Sequence, residues 1–230
     1  GPPIPKYKFS QIVTYSKELA KIALDIGAIK LDPEKPFTWA SGYRMPIYND
    51  NRLLLGNADH RLLVAEGFRS ILQKENISVD VVAGTATAGI VPATTLANLL
   101  QTPLIYVRPI PKEHGLQNQI EGVLHPGQNV VVIDDLISTG RSALKSVEAI
   151  RHAGAKVDHC LSIFTYGFQE ATTQFRDAHC RMHPLLTFEA LIQQAREDDS
   201  LGKEQCALLE SWHDDPFTWA KRHGFGPAGS

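Results

Sequence analysis

Thirteen residues constrain this chain more than any others: Val130-Val131-Val132-Ile133-Asp134-Asp135-Leu136-Ile137-Ser138-Thr139-Gly140-Arg141-Ser142. An unbroken apolar run reads as a strand buried on both faces, two adjacent acids follow it, and a turn of small residues opens a helix. A strand buried on both faces requires helices on both sides of its sheet. The same unit occurs earlier, where Val79, Val81 and Val82 lead through Gly84-Thr85-Ala86-Thr87-Ala88-Gly89 into a helix. Leu104 to Val107 is a further short strand, and Val157 to Tyr166 another, marked by Leu161, Ile163 and Phe164. Strands alternating with helices predict an α/β fold, a mostly parallel central sheet flanked by helices. Helices are expected from Ser10, as N-cap, to Ile26 and from Asp59 to Glu75, and Gly154 is expected to end the helix that follows Gly140.

Between Leu31 and Arg52 the pattern breaks at Pro33, Pro36, Gly42 and Pro46, with Phe37, Trp39, Tyr43 and Tyr48 among polar neighbours. Such a stretch covers a core or lines a site. Beyond residue 186 the chain turns helical and polar, with Phe188, Leu191 and Ile192 as one apolar stripe and Leu208, Leu209 and Trp212 as another. No Pro/Gly-rich linker divides the chain, so residues 1–230 are expected to form a single domain: an N-terminal hood at about 8–52, a core at about 53–185 and a helical C-terminal extension at about 186–230.

A chain of 230 residues with 43% hydrophobic and 21% charged residues has globular composition, and no apolar run reaches the ~18 residues that span a bilayer. No membrane partner is expected. The N-terminal GPPIPKYKFSQ has no apolar signal core, which makes the cytoplasm the expected compartment. A net charge of −2 lacks the basic excess of a protein that binds nucleic acid through phosphates, so no nucleic-acid partner is expected either. Cys160, Cys180 and Cys206 are too far apart for a zinc or redox pair and read as buried thiols. His179, Cys180 and His183 lie close in sequence but lack a second ligand pair, with Pro184 expected to end their element. Asp214-Asp215-Pro216, between Trp212 and Phe217, reads as a turn among packed aromatics.

Chemistry is expected at the thirteen-residue segment. Open α/β sheets bind ligands beyond the carboxyl ends of their strands, where Asp134 and Asp135 fall. Ser138, Thr139, Gly140 and Ser142 offer hydroxyls and approachable N–H groups at a helix N-terminus, a cradle for phosphate. The GxxxxGK[ST] pattern of nucleotide hydrolases is absent. Acids upstream of a phosphate cradle suit a phosphorylated sugar, its hydroxyls bound by carboxylates.

This segment resembles the phosphoribosyl-diphosphate signature of the type I phosphoribosyltransferase family, and the resemblance runs from about residue 9 to 170. Pro36-Phe37-Thr38-Trp39-Ala40-Ser41-Gly42 with Pro46-Ile47-Tyr48-Asn49-Asp50-Asn51-Arg52 is similar to the hood of the orotate-using branch. Ala83 to Ile90 is similar to its diphosphate loop, and Arg108 to Gly115 with Gln119 to Gly122 to its catalytic loop.

The resemblance implies transfer of ribose 5-phosphate from 5-phosphoribosyl 1-diphosphate to orotate, with magnesium (Mg2+) as cofactor. It implies Lys112, His114 and Arg108 as catalytic residues on a loop that closes over the neighbouring subunit's site in a homodimer. Asp134, Asp135, Leu136, Ile137, Ser138, Thr139, Gly140, Arg141 and Ser142 are then substrate-binding, as are Thr85, Ala86, Thr87, Phe37 and Arg44. Magnesium is held mainly by diphosphate and water, near Asp134 and Asp135.

The chain departs from other members at Pro109-Ile110-Pro111, where a second loop lysine is missing, at Ala88 and Ala40, and at Thr165-Tyr166, which replaces an orotate-binding Asp-Arg pair. The orotate carboxylate then falls to Arg44, hood N–H groups and the turn after Asp135. Two other functions share the cradle: a salvage enzyme for another base, which the hood disfavours, and a non-catalytic sensor of phosphoribosyl diphosphate, which Lys112 disfavours.

Overall fold

The structure, a computed structural model, describes residues 9–110 and 119–226, with side chains from residue 15 onward. Helix α1 (Phe9–Ile26) opens the chain, so Ser10 lies inside the helix rather than at its cap. The hood contains β1 (Ile29–Leu31), β2 (Phe37–Thr38), β3 (Arg44–Met45) and β4 (Ile47–Asn49). β1 pairs with β4 and β2 with β3, both antiparallel. A 3-10 helix over Asn51–Gly56 and helix α2 (Ala58–Lys74) lead to the sheet units.

Those units are β5 (Val81–Thr85), α3 (Ile90–Leu100), β6 (Leu104–Val107), β7 (Ile120–Glu121), β8 (Asn129–Ile137), α4 (Arg141–His152) and β9 (Lys156–Thr165). They continue through α5 (Gln169–Asp177), β10 (Arg181–Thr187), α6 (Phe188–Glu197), α7 (Lys203–Asp214) and α8 (Trp219–Arg222). Among the described residues the central sheet has six strands in the order β10-β9-β8-β5-β6-β7, all parallel except β7, which pairs antiparallel with β6.

Period-two alternation of β-branched residues along β8 serves two cores. Val131 and Ile133 join the cluster under α1, α2, α3, α6 and α7, whereas Val130 and Val132 face α4 and α5 on the other side. The first cluster takes in Met45 and Ile47 from the hood, Leu161 from the sheet and Leu191, Leu209 and Trp212 from the C-terminal helices. Cys160, Cys180 and Cys206 are free and buried. None of the helices among the described residues is long and apolar enough to cross a membrane.

β10 departs from expectation. Pro184 does not end an element but lies within this strand, paired with Ser162 of β9. β10 is an edge strand, the one position in a sheet where a residue without an N–H is tolerated. Strand alternation also separates the His179-Cys180-His183 cluster. His179 sits at a positive φ of 51° before the strand, Cys180 packs into the α4/α5 core, and His183 meets His159 on the opposite face, Nδ1 to Nε2 at 2.9 Å. The helical extension starts at Phe188 rather than at 186.

This strand order sets the site. From β5 the chain steps outward to β6 on one side and returns to β8 on the other, so a crevice opens between the carboxyl ends of β5 and β8. Ligands of open α/β sheets bind at such a switch point.

Candidate active site

The crevice is crossed by one short bond. Thr85, the last residue of β5, donates its hydroxyl to Asp134 Oδ1 at 2.9 Å, and the same oxygen accepts the Asp135 N–H at 2.8 Å. Asp134 is 7% exposed. Burial, and next the charge of Asp135, push its carboxyl up to about 7, because ionisation here loses water without gaining a cation. Both hydrogen bonds fall on Oδ1.

Beyond the acids the chain turns through Ser138 and Thr139 into α4. Gly140 holds the N-cap position at φ 87°, and a Cβ there would stand 2.9 Å from Phe175. Only glycine meets both conditions. Among the described residues, the N–H groups of Thr139 to Ala143 have no protein acceptor, and no side chain caps the helix. A helix N-terminus with free N–H groups and the positive end of its dipole suits phosphate.

Opposite this turn lies the diphosphate-loop segment, with a cis peptide between Ala86 and Thr87. Gly89 permits its tightness, since a Cβ would lie 2.4 Å from Thr85 Oγ1 and 2.6 Å from the Ile133 carbonyl. Thr87 and Ala88 form part of the wall of a cavity of about 480 Å3, with Asp135, Leu136, Arg52 and Arg61. Thr85 and Ala86 stand behind that wall: the Thr85 hydroxyl serves Asp134, and the Ala86 N–H donates to the Val107 carbonyl at 2.9 Å.

The hood closes onto β8 through Asn51, which is 5% exposed and donates from Nδ2 to the Asp135 carbonyl at 2.9 Å. Asn49 Nδ2 donates to Asn51 Oδ1 at 3.0 Å. Arg52 pairs with Asp50 at 2.8 Å, and that hydrogen bond is the main cause holding the Asp50 carboxyl below the usual range. Asn51, Arg52 and Arg61 carry no role in the sequence reading. The signal open to it was the polar run Asn49-Asp50-Asn51-Arg52 set directly before three leucines.

Other expected residues have partners of their own. Ile137 is core on the α4/α5 side, 1% exposed. Arg141 is engaged by Glu170 at 2.6 Å. Arg44 donates to the Pro36 carbonyl at 3.5 Å and lines a separate groove with Tyr43, Phe217 and Lys221. Phe37 lies 5.9 Å from the Tyr48 ring, centroid to centroid. Arg108 is held at the base of its loop: its N–H donates to the Gln119 carbonyl at 2.7 Å, and its guanidinium lies 3.8 Å from Glu121. Lys112 and His114 lie outside the described residues.

Near the carboxyl end of β9, Tyr166 is buried between hood and C-terminal helices. Its ring lies 5.1 Å from Trp39, 5.2 Å from Phe168 in a stack and 5.9 Å from Trp212 edge-on. Burial, and then the charge of Asp135, raise its phenol above the usual value.

Residues 58–197 match the family model described as a phosphoribosyl transferase domain. The chain is 42% identical over 209 residues to an orotate phosphoribosyltransferase of Cytophaga hutchinsonii, covering 91% of this chain and all of the relative. It is 45% identical over 201 residues to that of Lactiplantibacillus plantarum, covering 87% and 95%. Among solved structures, orotate phosphoribosyltransferase from Aeropyrum pernix superposes with a TM-score of 0.69 at 31% identity, covering 80% of this chain and 99% of that one. A UMP synthase of Leishmania donovani gives 0.73 at 27% identity, covering 86% and 42%.

Proposed function

The chain belongs to the phosphoribosyl transferase family, among the orotate phosphoribosyltransferases, and from that premise we propose how its residues divide the work. The reaction transfers ribose 5-phosphate from phosphoribosyl diphosphate to N1 of orotate, giving orotidine 5′-monophosphate and diphosphate, a step of pyrimidine biosynthesis. Most support for the site comes from one juxtaposition: paired acids at the switch point, followed across a short turn by the free N–H groups at the start of α4.

The 5′-phosphate takes the turn from Ser138 to Ser142, where N–H groups and hydroxyls meet it. Asp135 at the cavity wall and Asp134 Oδ2 behind it accept from the ribose hydroxyls. The diphosphate faces Thr87 and Ala88, with Arg52 and Arg61 on the same cavity wall. As the anomeric C–O bond breaks and the C–N1 bond forms, the N1 proton passes to the departing diphosphate or to solvent. Positive charge then builds on the sugar and negative charge on the leaving diphosphate.

Magnesium fits these residues in a limited way. Asp134 Oδ2 and the Asp135 carboxylate offer two adjacent oxygens, and among the described residues no group of three or more His, Cys, Asp or Glu forms a cage. That suits an ion carried mainly by diphosphate and water, with the two acids on its sugar side. When bound, magnesium supplies neutralisation of diphosphate charge.

We assign the loop bearing Lys112 and His114, hinged at Arg108, to the neighbouring subunit's active site in a homodimer. The partly exposed Leu55 and Val91 give the cavity wall apolar surface, and Leu53 and Leu62 are exposed as well, which supports such an interface. The cytoplasm is the compartment that suits this pathway.

The test mixes purified protein with phosphoribosyl diphosphate, magnesium and one base at a time, following absorbance. Turnover with orotate but not with uracil, adenine or hypoxanthine is expected. Turnover confined to another base overturns the reading, as does silence with every base despite measurable binding of phosphoribosyl diphosphate.

A further inference from the structure

Helix α7 reaches the phosphate turn through the backbone of one residue, Tyr166. His213 Nε2 lies 2.5 Å from the Tyr166 carbonyl oxygen. A carbonyl accepts only, so Nε2 carries the proton and donates. The Tyr166 N–H donates in turn to the Ile137 carbonyl at 3.3 Å, and the Thr165 hydroxyl donates to the same oxygen at 3.2 Å. Ile137 is the last residue of β8, directly before Ser138 and the phosphate turn. The backbone on which the turn is built is therefore fixed from the far side by an imidazole.

That imidazole has little freedom. Its ring lies flat on Phe188, with centroids 4.5 Å apart and planes at 4°. Its neighbour Trp212 is fully buried and donates from Nε1 to Met45 Sδ at 3.1 Å, which ties the same turn of α7 to the hood. Among the described residues His213 has no carboxylate partner, and its donor goes to a backbone carbonyl, a bond that orders chain rather than balances charge.

We propose that His213 is a positioning residue for phosphoribosyl-diphosphate binding, acting through the Tyr166 backbone on the turn from Ser138 to Ser142. The C-terminal helices thereby set the affinity of a cradle they do not touch. This builds on the phosphoribosyltransferase reading above, and its first readout needs no substrate.

Two variants separate positioning from packing. His213→Phe keeps a ring on Phe188 and removes the donor, whereas His213→Gln restores an N–H at a similar reach. In ligand-free protein, His213→Phe is expected to speed exchange of the Tyr166 N–H, bonded to the Ile137 carbonyl, and of the Leu144 N–H, bonded to the Gly140 carbonyl, by roughly fivefold, the worth of one neutral hydrogen bond, and His213→Gln to return it near wild type. In turnover, His213→Phe is expected to raise KM for phosphoribosyl diphosphate by roughly fivefold with kcat changed less than about twofold, again restored by His213→Gln. Wild-type exchange and KM in His213→Phe overturn the proposal, as does a His213→Gln variant no better than His213→Phe, which marks a packing role. Failure of wild-type protein to use orotate overturns the functional reading instead and leaves the exchange comparison intact.

Discussion

The crevice between β5 and β8 and the aromatic cluster under α7 lie at the same end of the sheet and are built on opposite principles. In the crevice, polar groups are kept at a cost: N–H groups without an acceptor at the start of α4, and an Asp134 carboxyl raised to about 7 by burial. In the cluster apolar packing dominates: Trp212 is fully enclosed, Tyr166 stacks on Phe168, and Tyr166, Phe168 and Phe188 each meet the Trp212 ring. A site keeps free donors and acceptors for its ligand, and the neighbouring architecture supplies the stability this forgoes.

The contrast breaks most visibly in opposite kinds of damage. Lys112→Ala is expected to cut turnover roughly a hundredfold to a thousandfold while thermal stability stays near wild type, if its charge meets the diphosphate in the transition state. Steady-state kinetics beside a melting curve checks both. Trp212→Ala, in the cluster, is expected to cost about 3 kcal/mol or more of stability, which lowers Tm by about 6 °C or more.

Asp134→Asn sharpens the comparison through pH. The Asp134 carboxyl is raised from its unfolded value near 4 to about 7, so the folded state holds a proton that the unfolded chain has lost, and stability falls as pH rises through that window. The variant is expected to melt several degrees above wild type at pH 8, a gain on the order of 2 kcal/mol, with the gap closing toward pH 4. Equal melting at every pH would show that burial does not tax this acid. Asn51→Ala removes the bond from hood to Asp135 carbonyl and is expected to have the smallest effect, about 1 kcal/mol in a denaturation titration.

Legibility in the sequence follows the same division. β5, β6, β8 and β9 could be read because each is a short apolar run bounded by turn residues, and the crevice acids because two carboxylates directly follow such a run. β10 could not: Arg181, His183 and Pro184 interrupt its apolar pattern, and only its edge position makes them acceptable. Helix α5 was hidden in the polar stretch Gln169–Asp177, of which only Ala171 and Phe175 are buried.

The site was legible as a set of motifs rather than as contacts. Asn51 meets the Asp135 carbonyl across 84 residues of chain, and no local spacing announces that. Thr85 and Ile137 belong to site motifs by sequence, yet strand alternation turns the Ile137 side chain into the second core, and the Thr85 hydroxyl is spent on Asp134. Which face a residue takes at the end of a strand depends on register, and register is fixed by neighbouring strands that a linear pattern does not show.

The most direct test of the central claim, that the β5/β8 crevice binds the sugar phosphate and contributes little to holding the fold, is calorimetric titration of phosphoribosyl diphosphate with magnesium into wild type and an Asp134→Asn/Asp135→Asn double variant, with melting curves for both. The account predicts at least about a hundredfold weaker binding in the double variant at a Tm equal to or above wild type. Wild-type affinity in the double variant, or binding lost together with a fall in Tm, would contradict it.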